Sequence, residues 1–411
     1  MIKRKDIIYK IIILFLLIVI GLLNVYYNVD MKETTIYNPV NSEIKSVKSM
    51  KNNLSKKKSI LFNKKIVYIS RHDGTIANFR NVAELLSFDV TIMEPDYDFE
   101  KKPNCYEKDH CKSFVNTICS EYDFVVISDI IPDSYIYLTN FCKAKVILEI
   151  TNRFDLFVEE DDLEDFYQIF GKAVTEYKNV VVVENNPYEV YHACIKGVFV
   201  PNYYLIRPVG YAPPEVLKKA HKEKHDEIAI IKHSEQDEAI GIPELKKNHV
   251  KFKKLKHRYG GPLVLATYKA VVMLPYQVSI MKMMENFRYG VAMLVPTERL
   301  FREMVEDFPE YSFTEKDLLE VENALTYYVE WFNEEFKDLF VYFDKWEDLP
   351  EIIENTDFDS IKEKGKEYME RYEEKAINMW AQVFGIVPPK NMIQNTEPLC
   401  DFEGEFFNYQ E

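Results

Sequence analysis

Glycine is scarce in this chain, at 12 of 411 residues. So few freely turning positions argue against a loop-rich protein or one built from stacked repeats. No C-x-x-C occurs, which leaves a zinc site without its usual paired thiolates. Positive charge is also in short supply: 52 Lys and Arg stand against 67 Asp and Glu, for a net charge of −15. That balance excludes the broad basic face a nucleic-acid partner needs. An acidic substrate would need a locally basic cleft. Apolar material is plentiful, at 47% hydrophobic and 14% aromatic residues. The length allows about two domains. The six cysteines are Cys105, Cys111, Cys119, Cys142, Cys194 and Cys400. Their even number suits an oxidising lumen. Cys105 with Cys111 or Cys119 is the nearest local pairing, and free buried thiols are the alternative.

Residues 1–29 read as a cytoplasmic tip and a signal-anchor helix. Lys3, Arg4 and Lys5 precede an apolar run centred on residues 11–23. Counted from residue 7 to residue 27, the run is about 21 residues and roughly 32 Å as a helix, enough to cross a bilayer. Lys10 can snorkel at one end. Tyr26 and Tyr27 suit the aromatic belt at the other, and the basic lead favours a cytoplasmic N-terminus with a lumenal body. A cleaved signal peptide and a simple buried helix are the alternatives, and GLLNVYYNVD shows no evident cleavage site. Residues 30–63, rich in Lys, Ser and Asn, read as an unfolded stem. Asn53-Leu54-Ser55 within it is a glycosylation sequon. The expectation is a single-pass type II membrane protein of the endoplasmic reticulum or Golgi lumen.

From Lys64 onward short apolar runs alternate with helical patterns, the sign of βαβ units and a parallel sheet. Strands are expected at 66–70, 90–93, 124–128, 146–151 and 180–183. Helices are expected at 76–86, 162–177 and 188–195. Pro201, Pro208, Pro213 and Pro214 then break the pattern. A new strand follows at 227–232, a helix at 262–269 and strands at 270–274 and 291–295. Later come a helix at 300–307, a strand at 340–343 and a long charged helix at 359–385. This predicts an α/β fold with two Rossmann-like lobes and a cleft between them. The N-terminal acceptor lobe would span 64–210, and the C-terminal donor lobe with its closing helix 211–388. Residues 389–411 would be an irregular acidic tail.

The stretch PYQVSIMKMMENFRYGVAMLVP, residues 275–296, reads as strand end, turn, short helix, glycine stop and buried strand. Pro275, Ser279, Glu285, Gly290 and Val291 match the donor-site pattern of GT-B glycosyltransferases. The stretch resembles in particular the group-1, glycogen-synthase-like transferases. The likeness is specific over about 25 residues and architectural over 64–388. It implies that Glu285 holds the ribose hydroxyls of a nucleotide sugar, and that Gln277, Ser279 and their turn face sugar and phosphate. It also implies a nucleotide-sugar co-substrate, with no tightly bound cofactor and no required metal. The chain departs from the family at Gln277, where a second Glu is frequent, and at Ala292, where Pro is usual. Independent chemistry agrees: a carboxylate can accept two hydrogen bonds from a diol, and helix-terminal amides suit anions. Gly290 would allow the turn from helix to strand. A surface pairing of Glu285 with Lys282 or Arg288 is the plainer alternative.

Lys232, His233 and Arg258 are candidates for the diphosphate. His72 and Asp73 follow the first strand, beside Gly74. In GT-B enzymes that loop faces the acceptor, and a histidine there suits proton abstraction; a helix cap at Asp73 is the plainer reading. Arg153 and Asn186 follow later strands of the first lobe, where carboxyl ends point into the cleft. Arg207, with Tyr203 and Tyr204, falls at the lobe junction, where hinge packing competes with ligand contact. Asp96-Tyr97-Asp98 and Asp357-Phe358-Asp359 spell D-x-D but lack the strand context of a metal–diphosphate site. The function expected is sugar transfer from a nucleotide sugar to a hydroxyl of a glycan, lipid or protein. The alternative is a catalytically inactive, membrane-tethered sugar-binding or scaffold protein of the same fold.

Overall fold

The computed structural model describes residues 64–95, 109–140, 142–217, 224–256, 258–321 and 323–395, all within one compact unit. The expected anchor, the stem with Asn53, Asp96-Tyr97-Asp98, Cys105, Cys400 and most of the expected tail lie outside these residues. Among the described residues no helix is long and apolar enough to cross a membrane.

The first lobe is built on β1 (Ile66–Ile69), β2 (Val90–Met93), β3 (Phe124–Ser128), β4 (Lys145–Ile150), β5 (Val180–Glu184) and β6 (Asn202–Leu205). The strands lie side by side as β6-β5-β4-β3-β1-β2, all parallel. IVYI in β1 and FVVIS in β3 are buried along their whole length. Near-continuous apolar strands of this kind belong to a parallel sheet covered on both faces. The helix Asp73–Leu86 buries Ile76, Phe79, Val82, Ala83 and Leu86, the stripe a 3.6-residue period creates. The second lobe holds β7 (Ile228–Ile231), β8 (Phe252–Leu255), β9 (Val271–Val272), β10 (Met293–Pro296) and β11 (Phe340–Phe343). Their order is β11-β10-β9-β7-β8, again parallel. Each sheet therefore reverses its winding once, between β1 and β3 and between β7 and β9. This is a two-lobed α/β architecture, each lobe a Rossmann-like parallel sheet.

Several details differ from the sequence expectation. The helix expected at 262–269 is a single turn, Pro262–Leu265. Strand β8, FKKL, is an edge strand with exposed Lys253 and Lys254, so no apolar run announces it. Residues 393–394, expected in an irregular tail, form β12 and pair antiparallel with β6. Cys119 is bonded to Cys142, not to Cys105; the other expected pairing, Cys105 with Cys111, lies outside the described residues. This bridge ties the helix Asp109–Glu121 to the segment entering β4. Cys194 is disulfide-bonded as well.

The helix Phe358–Val383 leaves the second lobe and ends against the first. Trp380 meets Phe79 edge-on, with ring centroids 5.4 Å apart. Just beyond the helix, Phe384 packs on Phe124 at 5.0 Å. The Tyr372 hydroxyl donates to the Arg207 carbonyl at 3.1 Å and accepts from the Arg207 amide at 2.5 Å. One element thus fastens the linker between the lobes.

Candidate functional site

The loops at the carboxyl ends of both sheets open onto one cavity of about 690 Å³. His72 follows β1, Asp129 follows β3, His233 follows β7 and Met273 follows β9, and all four line it. Both winding reversals therefore face the same space. Ligands of open α/β sheets bind at such positions, and the volume suits a small-molecule ligand. A smaller hollow of about 310 Å³, beside Tyr137 and Tyr177, lies at the opposite, amino-terminal edge of β4 and β5.

The second-lobe wall carries the residues of the 275–296 stretch. The helix Met281–Arg288 buries Met283, Met284 and Phe287 and leaves Glu285 at the cavity, 9% exposed. Lys282 donates to Oε2 of Glu285 at 2.9 Å, and its Nζ lies 5.1 Å from the centre of the Tyr259 ring. Burial pulls the Lys282 ammonium down, but Glu285 and Tyr259 outweigh it and hold it above its ordinary value. The ion pair with Lys282 thus forms in the cleft, not on the outer surface, while Arg288 pairs with Glu373 instead. Oε1 of Glu285 accepts no hydrogen bond from the described residues and is left for a ligand. Gln277, Ser279 and Arg258 also line the cavity. Arg258 is exposed there and has no carboxylate partner among the described residues. The amides of His233 and Ser234 are already taken by the Asp237 carboxylate, at 3.0 and 2.8 Å. Positive charge for an anionic ligand therefore comes from the Arg258 and Lys282 side chains on this wall.

On the first-lobe wall, His72 caps the helix Asp73–Leu86, its Nδ1 accepting from the Thr75 amide at 3.2 Å. This corrects the expectation that Asp73 caps the helix; Asp73 is exposed and does not line the cavity. The cap bond has a chemical consequence. A neutral ring that accepts at Nδ1 carries its proton at Nε2 and presents a donor. Acting as a base would require giving up the cap, worth about 1 kcal/mol. Gly74 lies where the lobes meet: a Cβ there would sit 2.6 Å from His72 Cε1 and 3.3 Å from Met281 Sδ.

Asp129 is the residue the sequence reading missed. Its φ of 69° and the bond from the Ile130 amide to the Ser128 carbonyl, 3.0 Å, make a γ-turn of the rarer, positive-φ kind. Such strain costs about 1–3 kcal/mol and gathers at functional sites. Burial raises the Asp129 carboxyl above its ordinary value, with His72 pulling the other way and Asp133 adding to the rise. Arg71, bonded to both oxygens of Asp133 at 2.6 and 3.0 Å, ties the β1 loop to the β3 loop. The signal for Asp129 was present: it directly follows the apolar run FVVIS, the placement that drew attention to Asn186.

Other expected residues lie elsewhere. Gly290 does not line the cavity; it turns the chain at φ 67°, with Lys366 against its α-carbon. Lys232 pairs with Glu238 at 2.5 Å and is also off the cavity. Arg153 is bound by Glu189 and by Glu315, the latter at 2.7 Å, so its charge is spent within the protein. Asn186 is wholly buried and caps the helix Pro187–Ile195, and its neighbour Asn185 lines the cavity. Arg207 is buried against Glu330 at 2.5 Å and Glu335 at 3.1 Å, as hinge packing requires. Asp357 caps the helix Phe358–Val383. Among the described residues no group of three or more His, Cys, Asp or Glu could hold a metal ion.

The sequence matches no protein-family model and no curated protein. Solved structures with a similar course include a UDP-N-acetylglucosamine 2-epimerase, at 9% identity and TM-score 0.40, covering 80% of this chain and 99% of that one. The lipopolysaccharide outer core galactosyltransferase WaaB, in its apo form, aligns at 9% identity and TM-score 0.34, covering 75% and 99%. A putative UDP-N-acetylglucosamine 2-epimerase from Listeria monocytogenes aligns at 10% identity and TM-score 0.33, covering 65% and 90%.

Proposed function

We propose that this chain is a glycosyltransferase that moves a sugar from a nucleotide-sugar donor to a hydroxyl of a glycan, lipid or protein. The observation that carries this reading is the single cavity of about 690 Å³ between two facing winding reversals. One wall offers a carboxylate and two cations, and the other an imidazole beside a carboxylate of raised pKa. In this reading Glu285 Oε1 accepts from the donor ribose. Arg258 and Lys282 meet the diphosphate and the charge that grows on it as it leaves. Gln277 and Ser279 face the sugar.

The acceptor hydroxyl enters from the first-lobe side. Asp129, whose carboxyl burial raises above its ordinary value, takes its proton as the oxygen attacks the anomeric carbon of the donor and the nucleoside diphosphate departs. The Nε2–H of His72 orients the acceptor. His72 remains the alternative base if its cap bond opens. We place the enzyme in the secretory lumen as a type II membrane protein, a reading supported by the basic, apolar N-terminal sequence and by the Cys119–Cys142 bond.

The test is a melting-temperature screen of the full-length protein against a panel of nucleotide sugars, followed by nucleotide release from any that bind. A ligand of the folded state raises the melting point by linkage. The expected result is a shift with at least one nucleotide sugar that Glu285→Ala abolishes. No shift with any member would sink the reading. A shift without nucleotide release in the presence of any acceptor would leave a binding protein.

A further inference from the structure

Strands β1 and β3 are parallel neighbours, with Ile69 opposite Ile127. Arg71 and Asp129 each stand two residues past that pair, so their loops leave the sheet side by side. The β1 loop carries Arg71 and His72. The β3 loop carries Asp129 and then the single 3-10 turn Ile131–Ser134, which holds Asp133. His72 and Asp129 line the cavity, whereas Arg71 and Asp133 do not.

The Arg71 guanidinium meets Asp133 as a fork. Its Nη2 donates to Oδ1 at 2.6 Å and its Nε to Oδ2 at 3.0 Å. The two side chains are 20% and 11% exposed. A two-point, partly buried pair of this kind fixes orientation, which a single exposed ion pair does not. The carboxylate end is anchored as well, since the Asp133 amide donates to the Ile130 carbonyl at 3.1 Å. Between the strand and the fork the chain passes through Asp129 at φ 69°. Backbone in that region persists only where its surroundings determine it. The γ-turn does so on the strand side, and the fork does so on the other.

The same pair acts on Asp129 through charge. Asp133 adds to the rise of the Asp129 carboxyl, while His72 and Arg71 oppose it. Burial raises the Asp133 carboxyl in turn, with Arg71 pulling it down. Tyr137, on the helix Tyr135–Thr139, also feels Asp133, and burial together with that carboxylate keeps the phenol neutral.

We propose that Arg71 and Asp133 are positioning residues for Asp129: they hold the β3 loop to the β1 loop and set one cation and one anion beside the carboxylate that takes the acceptor proton. Asp133 makes that carboxylate a stronger base, and Arg71 keeps it ionised at neutral pH, the balance a general base needs. This inference rests on the transferase reading and supplies the setting of its base.

The test follows Asp129 itself. Full-length protein is labelled with an NMR-active carbon at the aspartate carboxyls, and the Asp129 signal is assigned by its loss in Asp129→Asn. Asp133→Asn keeps the shape and one acceptor for Arg71 but removes the charge. In that variant the titration midpoint of Asp129 is expected to fall by about one pH unit. Arg71→Gln is expected to raise it by about as much. A purely structural pair would not give opposite movements. A midpoint unmoved in both folded variants, or moved the same way in both, overturns the proposal. If Arg71→Gln does not fold, the presence or absence of the fall in Asp133→Asn decides alone. The acid limb of the transfer rate against pH should follow the midpoints. The nucleotide-sugar melting shift of wild type reports separately on the transferase reading, which can fail while both midpoints move as expected.

Discussion

At the residue scale, the site turns on how His72 and Asp129 divide the work. The Thr75 amide holds Nδ1 of His72, which fixes the donor at Nε2, and the proposed mechanism accordingly takes Asp129 as the base. Asp129→Asn keeps a side chain that tolerates positive φ. It should leave the nucleotide-sugar melting shift intact and lower transfer by about 10²–10⁴-fold. Near-wild-type transfer by this variant would assign the base to His72. His72→Ala should cost about 1 kcal/mol in urea unfolding through the lost cap. Within β4, Glu149 accepts from the Tyr68 hydroxyl at 2.7 Å, and burial pushes its carboxyl up to about 7. Its unfolded value lies near 4.5. A carboxyl raised on folding favours the folded state below the unfolded value, and that contribution is lost as pH rises through the folded one. Glu149→Gln should therefore gain stability relative to wild type between pH 5 and pH 8, by about 1–3 kcal/mol. A difference that does not change with pH would show that Glu149 titrates normally.

At the element scale, the helix Met281–Arg288 is positioned by its end and by its back. Gly290 turns out of it at φ 67°, and a Cβ there would fall 2.4 Å from Lys366 Cε. Gly290→Ala should destabilise by about 1–2 kcal/mol through left-handed strain, the lysine tip being free to move. Urea midpoints at constant slope would check it, and an unchanged midpoint would remove Gly290 from the account. The sequence showed this helix, its glycine stop and strand β10 because apolar periodicity and glycine are local signals. Strand β8 was hidden because its middle residues, Lys253 and Lys254, face water at an edge. Strand β12 was hidden because its two residues gain their partner from β6, nearly two hundred positions away. The Cys119–Cys142 bond was hidden for a like reason, since spacing does not say which elements the fold brings together. Replacing both cysteines by alanine should cost about 2–4 kcal/mol, the range for closing a loop of this size. Chemical denaturation of the double variant measures it, and an unchanged midpoint would show that the bond adds nothing to stability.

At the scale of the whole molecule, the lobes are held in one arrangement by buried charge. Arg153 of the first lobe reaches Glu189 and Glu315, and Glu315 in turn accepts from the Val278 amide at 3.2 Å. Sequence reading placed Arg153 at a strand end facing the cleft; in the fold it does not line the cavity and is bound by the two glutamates instead. Arg153→Gln would leave both buried carboxylates without their cation and should cost about 3–5 kcal/mol. A calorimetric scan should then show a lower melting point, and an unchanged one would make the interlobe pair incidental. By itself the sequence determined the two α/β lobes, the place of Glu285 and the histidine after the first strand, because strand period, helix period and loop position are written locally. Only the tertiary structure decided which charges reach the cavity. Arg258 and Lys282 stay in the cavity while Arg153, Arg207 and Lys232 are paired away from it. Pairing depends on which distant carboxylate the fold brings within reach, and nothing in a residue's own neighbourhood along the chain records that.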